Sequence, residues 1–142
     1  MTETAPTRTL VIEREMPHPQ EKIWRALTEG HLITEWLMTN DFQPVVGHRF
    51  TFRATPVPGW SGVIDCEVLV VEPNARLSYS WGTLGLGSVV AWTLTPTERG
   101  THVRMEQSGF GADREANYKG AKYGWNKFIG NLERVAGGLN EP

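Results

Sequence analysis

Four polar side chains fall in phase with the apolar positions of strand-like segments: Arg14, His48, Tyr79 and Gln107. A few hydrogen-bonding groups on an otherwise apolar wall are what a small-molecule pocket uses to orient its occupant, the apolar area supplying burial. Buried arginine needs a partner, so Arg14 either reaches a rim or meets a carboxylate; the alternative is a strand end in solvent. His48 opens its strand and reads as exposed. As an acid–base or electrostatic catalyst, Arg14 or His48 would have to face the pocket, where a catalyst needs a shifted pKa.

Other chemistries find little support. His18, His31, His48 and His102 are isolated, with no His-x-x-x-His spacing, so no metal is expected. Cys66 is the only cysteine, which excludes an internal disulfide and suits a reducing, cytoplasmic setting. In a strand interior it reads as a small buried apolar residue rather than a thiolate. "GWSGV" around Ser61 lacks the Gly-x-Ser-x-Gly elbow of a serine nucleophile. "GTLGLGS", residues 82–88, is neither a dinucleotide nor a phosphate loop; it joins two strands and reads as a mobile hairpin with a gating role. No cofactor is expected.

The elements that must position these groups follow from periodicity. "TLVIEREM" (9–16) alternates with Leu10, Ile12, Arg14 and Met16 on one face, a first strand stopped by Pro17 and Pro19. "EKIWRALTEGHLITEWL" (21–37) then reads as two short amphipathic helices broken at Gly30, carrying Trp24 and Trp36. From residue 47 the period returns to two. Phe50 and Phe52; Ile64, Cys66, Val68 and Val70; Leu77, Tyr79 and Trp81; Val90, Trp92 and Leu94; Val103, Met105 and Gln107 mark five further strands joined by short turns. The last segment places Ala121, Trp125, Phe128, Leu132, Val135 and Leu139 at helical steps, with Asp113 as its expected N-cap and Gly137-Gly138 as its end. Its internal glycines, Gly120, Gly124 and Gly130, each cost about 1 kcal/mol of helix propensity and suggest close approach to the sheet or a kink.

A strand, two short helices, five antiparallel strands and a long helix cannot be doubly wound. The expectation is an α+β fold, a curved antiparallel six-stranded sheet wrapped around a long C-terminal helix, in one domain over 1–142 with a fraying terminus at 1–7. With 142 residues, 39% hydrophobic and 21% charged, the chain has enough length for a core without disulfides. A net charge of −2 with scattered basic residues argues against a general nucleic-acid surface. No apolar run approaches the ~20 residues that span a bilayer, so no membrane partner is expected.

The order of elements resembles the helix-grip fold of the birch-pollen-allergen and START-like superfamily. More narrowly, the chain resembles single-domain bacterial relatives of the C-terminal domain of the activator of the heat-shock-90 chaperone ATPase. The matching residues are Arg14 followed by Pro19, "IWRALTEGHLITEW" (23–36), "GHRFTF" (47–52), "VEPNARLSYSW" (71–81), "GTHVRMEQSGF" (100–110) and Gly124-Trp125. It departs at Gln107, where relatives often carry histidine, and in the short glycine-rich connection at 83–87.

The resemblance implies a hydrophobic cavity between sheet and helix. The alternation independently places Phe50, Phe52, Ile64, Cys66, Tyr79, Trp81, Trp92 and Met105 on its concave wall. Trp125 and Phe128 descend from the helix, Trp36 sits near the opening, and Arg14 and Gln107 supply polarity. Six tryptophans and five phenylalanines on a curved sheet either fill a core or, interdigitating poorly, leave irregular space. The leading expectation is a protein that binds a small, largely apolar molecule. A cofactor-free cyclase or hydrolase in the same pocket and a chaperone-associated interaction module remain as alternatives, and homodimerisation through the sheet edge or the Gly/Trp loops is left open.

Overall fold

A computed structural model describes residues 7–83, 86–111 and 115–139. The strands are β1 (Thr7–Met16), β2 (Thr39–Asn40), β3 (Arg49–Arg53), β4 (Val63–Glu72), β5 (Arg76–Thr83), β6 (Leu86–Pro96) and β7 (Thr101–Gly111); the helices are α1 (Gln20–Thr28), α2 (Gly30–Trp36) and α3 (Glu115–Gly137). The strands form one antiparallel sheet in the order β1-β7-β6-β5-β4-β3-β2, so the first strand closes the meander against the last. The expected α+β helix-grip arrangement is observed with seven strands, not six. The additional β2 has only two residues, too few for an alternation to register.

Alternation sorts the sheet cleanly. Along β4 to β7 the positions in phase with Tyr79 are buried, and their neighbours are partly or fully exposed. Val70 is the exception to the expected phase. The register slips between Val68 and Val70, pairing Val68 with Tyr79 but Val70 with Ser78, so beyond this bulge Val71 and not Val70 faces the core opposite Leu77. A second irregularity lies between Arg8 and Thr9 opposite Ser108 and Phe110, where Gly109 takes φ +105° and leaves no room for a Cβ beside the Gly87 carbonyl.

The helix break falls at Glu29, whose extended backbone (φ −94°, ψ 118°) ends α1 and whose carbonyl receives Leu32 and Ile33 N–H groups to start α2. Gly30 is the first residue of α2; it fits because a Cβ there would approach Asn40 Oδ1 at 3.2 Å. Pro19 precedes α1 as its cap residue. The strands run further into the glycine-rich connection than expected, to Thr83 and from Leu86, leaving residues 84–85 outside the described chain. Asp113 and residues 1–6 also lie outside it, whereas Thr7 belongs to β1.

Among the described residues, the main close approaches of helix α3 are to α1, α2, β1 and β7. Ile129, Leu132, Val135 and Ala136 make its buried face, with Trp125 further towards the N-terminus. Close approach explains Gly137, whose would-be Cβ lies 3.0 Å from the His18 ring, but not Gly130, which meets Arg14 Nη1 at an ordinary contact distance of 3.5 Å. It does not explain Gly120, which has open space, or Gly124, which meets only Phe128 of its own helix.

Candidate functional site

Aromatic rings connect α3 to β3, β5 and β6. Phe50, Phe52, Tyr79 and Trp81 follow one another across the sheet with centroids 5.2 to 6.5 Å apart. Trp81 and Trp92 both meet Trp125, at 5.2 and 5.8 Å, and Trp125 meets Phe128 edge-on at 5.8 Å. Most pairs are tilted or T-shaped, the arrangement preferred by the ring quadrupole, worth about 0.5–1.5 kcal/mol per pair beyond burial. Phe42 joins through Phe50 at 5.1 Å; it lies in a segment without periodicity, and nothing in the sequence marked it.

The positions expected to share this wall do converge: Phe50, Phe52, Ile64, Cys66, Tyr79, Trp81, Trp92, Met105, Gln107 and Trp125 are all buried, and Phe128 is partly so. Trp36 departs from its expected place: it is buried in the core, not at an opening, where it packs edge-on to Trp92 at 5.7 Å and donates from Nε1 to the Ala26 carbonyl at 2.7 Å. Trp24, by contrast, is only partly buried. Arg14 reaches the rim and pairs with Glu133 of α3 at 2.8 Å, its side chain 47% exposed. His48 meets the Asp41 carbonyl at 3.0 Å on the surface and stacks on Phe50.

A hydrogen-bonded chain runs among these buried rings. Trp125 Nε1 donates to Gln107 Oε1 at 2.7 Å, Gln107 Nε2 to Ser88 Oγ at 3.0 Å, and Ser88 Oγ to the Trp81 carbonyl at 2.9 Å. Separately, Trp92 Nε1 donates to the Tyr79 hydroxyl at 3.0 Å. Ser88 was hidden because it ends a glycine-rich stretch; its two-residue phase with Val90, Trp92 and Leu94 was the available signal. Burial, with the nearby Asp65 and Asp41 charges adding to it, pushes the Cys66 thiol well above its ordinary range. Burial likewise raises Tyr79, against the opposing hydrogen bond from Trp92. Both groups are therefore neutral near pH 7, so Tyr79 acts as a hydrogen-bonding phenol and Cys66 as an apolar wall.

No group of three or more candidate metal ligands occurs among the described residues, and no described helix is long and apolar enough to cross a membrane. The described surface has open hollows of about 540 Å³ beside Met38, Arg53 and Thr55, about 290 Å³ beside Asp41 and Thr51, and about 220 Å³ on the convex face beside Ser78 and Ala91.

A curved antiparallel sheet closed by its first strand, with a C-terminal helix held against it, defines a helix-grip protein of the START-like class. The chain belongs to the family of activator of Hsp90 ATPase homolog 1-like proteins, whose family model matches residues 17–137. Among solved structures, protein MLL2253 from Mesorhizobium loti is 54% identical, with a TM-score of 0.88 over 94% of this chain and 100% of that one. Protein BH1534 from Bacillus halodurans is 26% identical, with a TM-score of 0.77 over 91% and 96%. DynU16, from the dynemicin biosynthetic locus, shares the fold at 24% identity and a TM-score of 0.77, over 92% of this chain and 47% of that one. No curated protein matches the chain.

Proposed function

We propose that the protein binds a small, largely apolar molecule between α3 and the concave face of β3 to β7. The observation that carries this reading is the buried polar chain Trp125–Gln107–Ser88 set among the rings beneath α3. A space needed only as core is filled more economically by aliphatic side chains without polar atoms. Here an indole, an amide and a hydroxyl satisfy one another in a ring-lined setting, the mixture of apolar wall and sparse polarity found in ligand sites. Ring pairs in edge contact can rotate apart, so Trp125 and Phe128 are the side chains an entering molecule would displace.

Phe50, Phe52, Ile64, Cys66, Tyr79, Trp81, Trp92 and Met105 form the wall in this reading, with Gln107 as its polar group. Trp36 supports Trp92 from behind, and Arg14 stands outside at the rim. Arg14 in its ion pair and His48 on the surface are poorly placed for the cyclase or hydrolase alternative, and Tyr79 and Cys66 hold their protons.

Titration with the uncharged dye Nile red tests the proposal, with native mass spectrometry of the protein from its own cells seeking a retained small molecule. A saturable one-to-one enhancement, competed by the retained molecule, is expected. Absence of both saturable dye binding and any retained molecule would defeat it.

A further inference from the structure

The strand register sets five side chains in one row across the concave face: Val68, Tyr79, Val90, Gln107 and Leu10, each paired with the next. Cross-strand partners share a face, so Tyr79 and Gln107 flank Val90 with Cα atoms about 10 Å apart, two strand spacings. Both are almost wholly buried, at 2% and 1% exposure.

Their hydrogens do not all have acceptors. Indole N–H can only donate, so the Tyr79 oxygen is the acceptor in its bond with Trp92, and the phenolic hydrogen must go elsewhere. No described residue accepts it; Cys66, though close enough to influence Tyr79, makes its own contact with the Ile64 carbonyl at 3.8 Å. Gln107 uses one N–H on Ser88 and has a second to give. The row thus presents surplus donor hydrogens, and a buried donor hydrogen without a partner costs far more than a carbonyl lone pair left unused.

Among the described residues no cation is hydrogen-bonded to Tyr79 or Gln107. Arg14 lies four residues along β1 from Leu10 and is already held by Glu133 at 2.8 Å. A carboxylate or phosphate buried on this row would lack a countercharge, which low-dielectric surroundings penalise heavily.

We infer that the molecule held under α3 carries an uncharged carbonyl oxygen, as in a ketone, quinone, ester or amide, which accepts from the Tyr79 hydroxyl with Gln107 beside it. This rests on the pocket reading above and adds to it the class of ligand. An apolar hydrocarbon leaves the Tyr79 hydrogen without an acceptor, and a carboxylate brings an unpaired charge; a neutral carbonyl, a strong uncharged acceptor, meets both conditions.

Calorimetric titration with three probes of similar shape tests it: 2-acetonaphthone, 2-ethylnaphthalene and 2-naphthoate. The ketone is expected to bind about five- to tenfold tighter than the hydrocarbon, the effect of one net hydrogen bond, with the carboxylate weakest. Tyr79→Phe should bring the ketone-to-hydrocarbon ratio below twofold. In the wild-type protein the infrared carbonyl stretch of the bound ketone should move to lower frequency, a readout that does not depend on the variant folding. Equal affinity for ketone and hydrocarbon, an unshifted carbonyl band, or an unchanged ratio in folded Tyr79→Phe overturns this inference and leaves the pocket standing. Binding by none of the three overturns this inference, and the pocket reading then stands or falls on the Nile red titration and the retained-molecule search.

Discussion

Gly100 illustrates how a single position can be determined by its neighbours' backbone. A Cβ built there would lie 2.2 Å from the Met16 carbonyl oxygen and 2.6 Å from His18 N, neither of which can swing aside as a side chain would. The tight fit arises because the β6–β7 turn tucks under the Pro17–Pro19 crossover, where Thr101 Oγ1 also donates to the His18 carbonyl at 2.8 Å. Gly100→Ala is expected to cost about 3 kcal/mol through forced overpacking, measurable as a lower urea midpoint. Gly120→Ala provides the contrast: it meets open space in a helix and should stabilise by a few tenths to about 1 kcal/mol. Periodicity identified Phe50, Tyr79, Trp92 and Gln107 as inward-facing, since strand alternation needs only neighbouring residues. It could not separate Gly100 from Gly120, because the difference lies in residues more than eighty positions away from the first.

Between elements, two ion-pair groups among the described residues hold β1 to its neighbours. Arg14 on β1 reaches Glu133 on α3 at 2.8 Å, with side chains 47% and 27% exposed, so solvent screening keeps the pair weak. A double-mutant cycle with Arg14→Met and Glu133→Gln should give a coupling of about 0.5 kcal/mol that shrinks in 1 M salt. Across β1 and β7, Glu13 meets His102 at 2.9 Å and Arg104 at 3.3 Å. The hydrogen bond from His102, aided by the Arg104 charge, lowers the Glu13 pKa below its usual 4.5. A carboxylate whose folded pKa is depressed contributes stability that is complete above the unfolded value and disappears as pH falls through the folded one. The advantage of wild type over Glu13→Gln should therefore be present at pH 7 and fade below about pH 4.5 in urea unfolding curves. A pH-independent gap would remove the ion-pair account. These cross-strand partners were not legible in the sequence, since Glu13 and His102 are 89 residues apart and meet only because the first strand pairs with the last.

At the scale of the whole molecule, ligand binding and stability are linked. A molecule bound to the folded state alone, at a hundred times its dissociation constant, adds about 2.7 kcal/mol, which for a domain of this size raises the unfolding midpoint by roughly 8 °C. The ketone probe should do this in wild type and less in Tyr79→Phe, in thermal scans at equal probe concentration. The chain by itself determined the succession of elements, the inward faces of its strands and the amphipathic rod that closes it, because periods of two and 3.6 are local properties of backbone geometry. Only the tertiary structure decided that β1 pairs with β7, that a bulge turns Val71 inward in place of Val70, that Trp36 lies deep against Trp92, and that Tyr79 and Gln107 share a row. Each depends on register between segments far apart in sequence, and register is settled by the packing of whole faces, which no short window of residues contains.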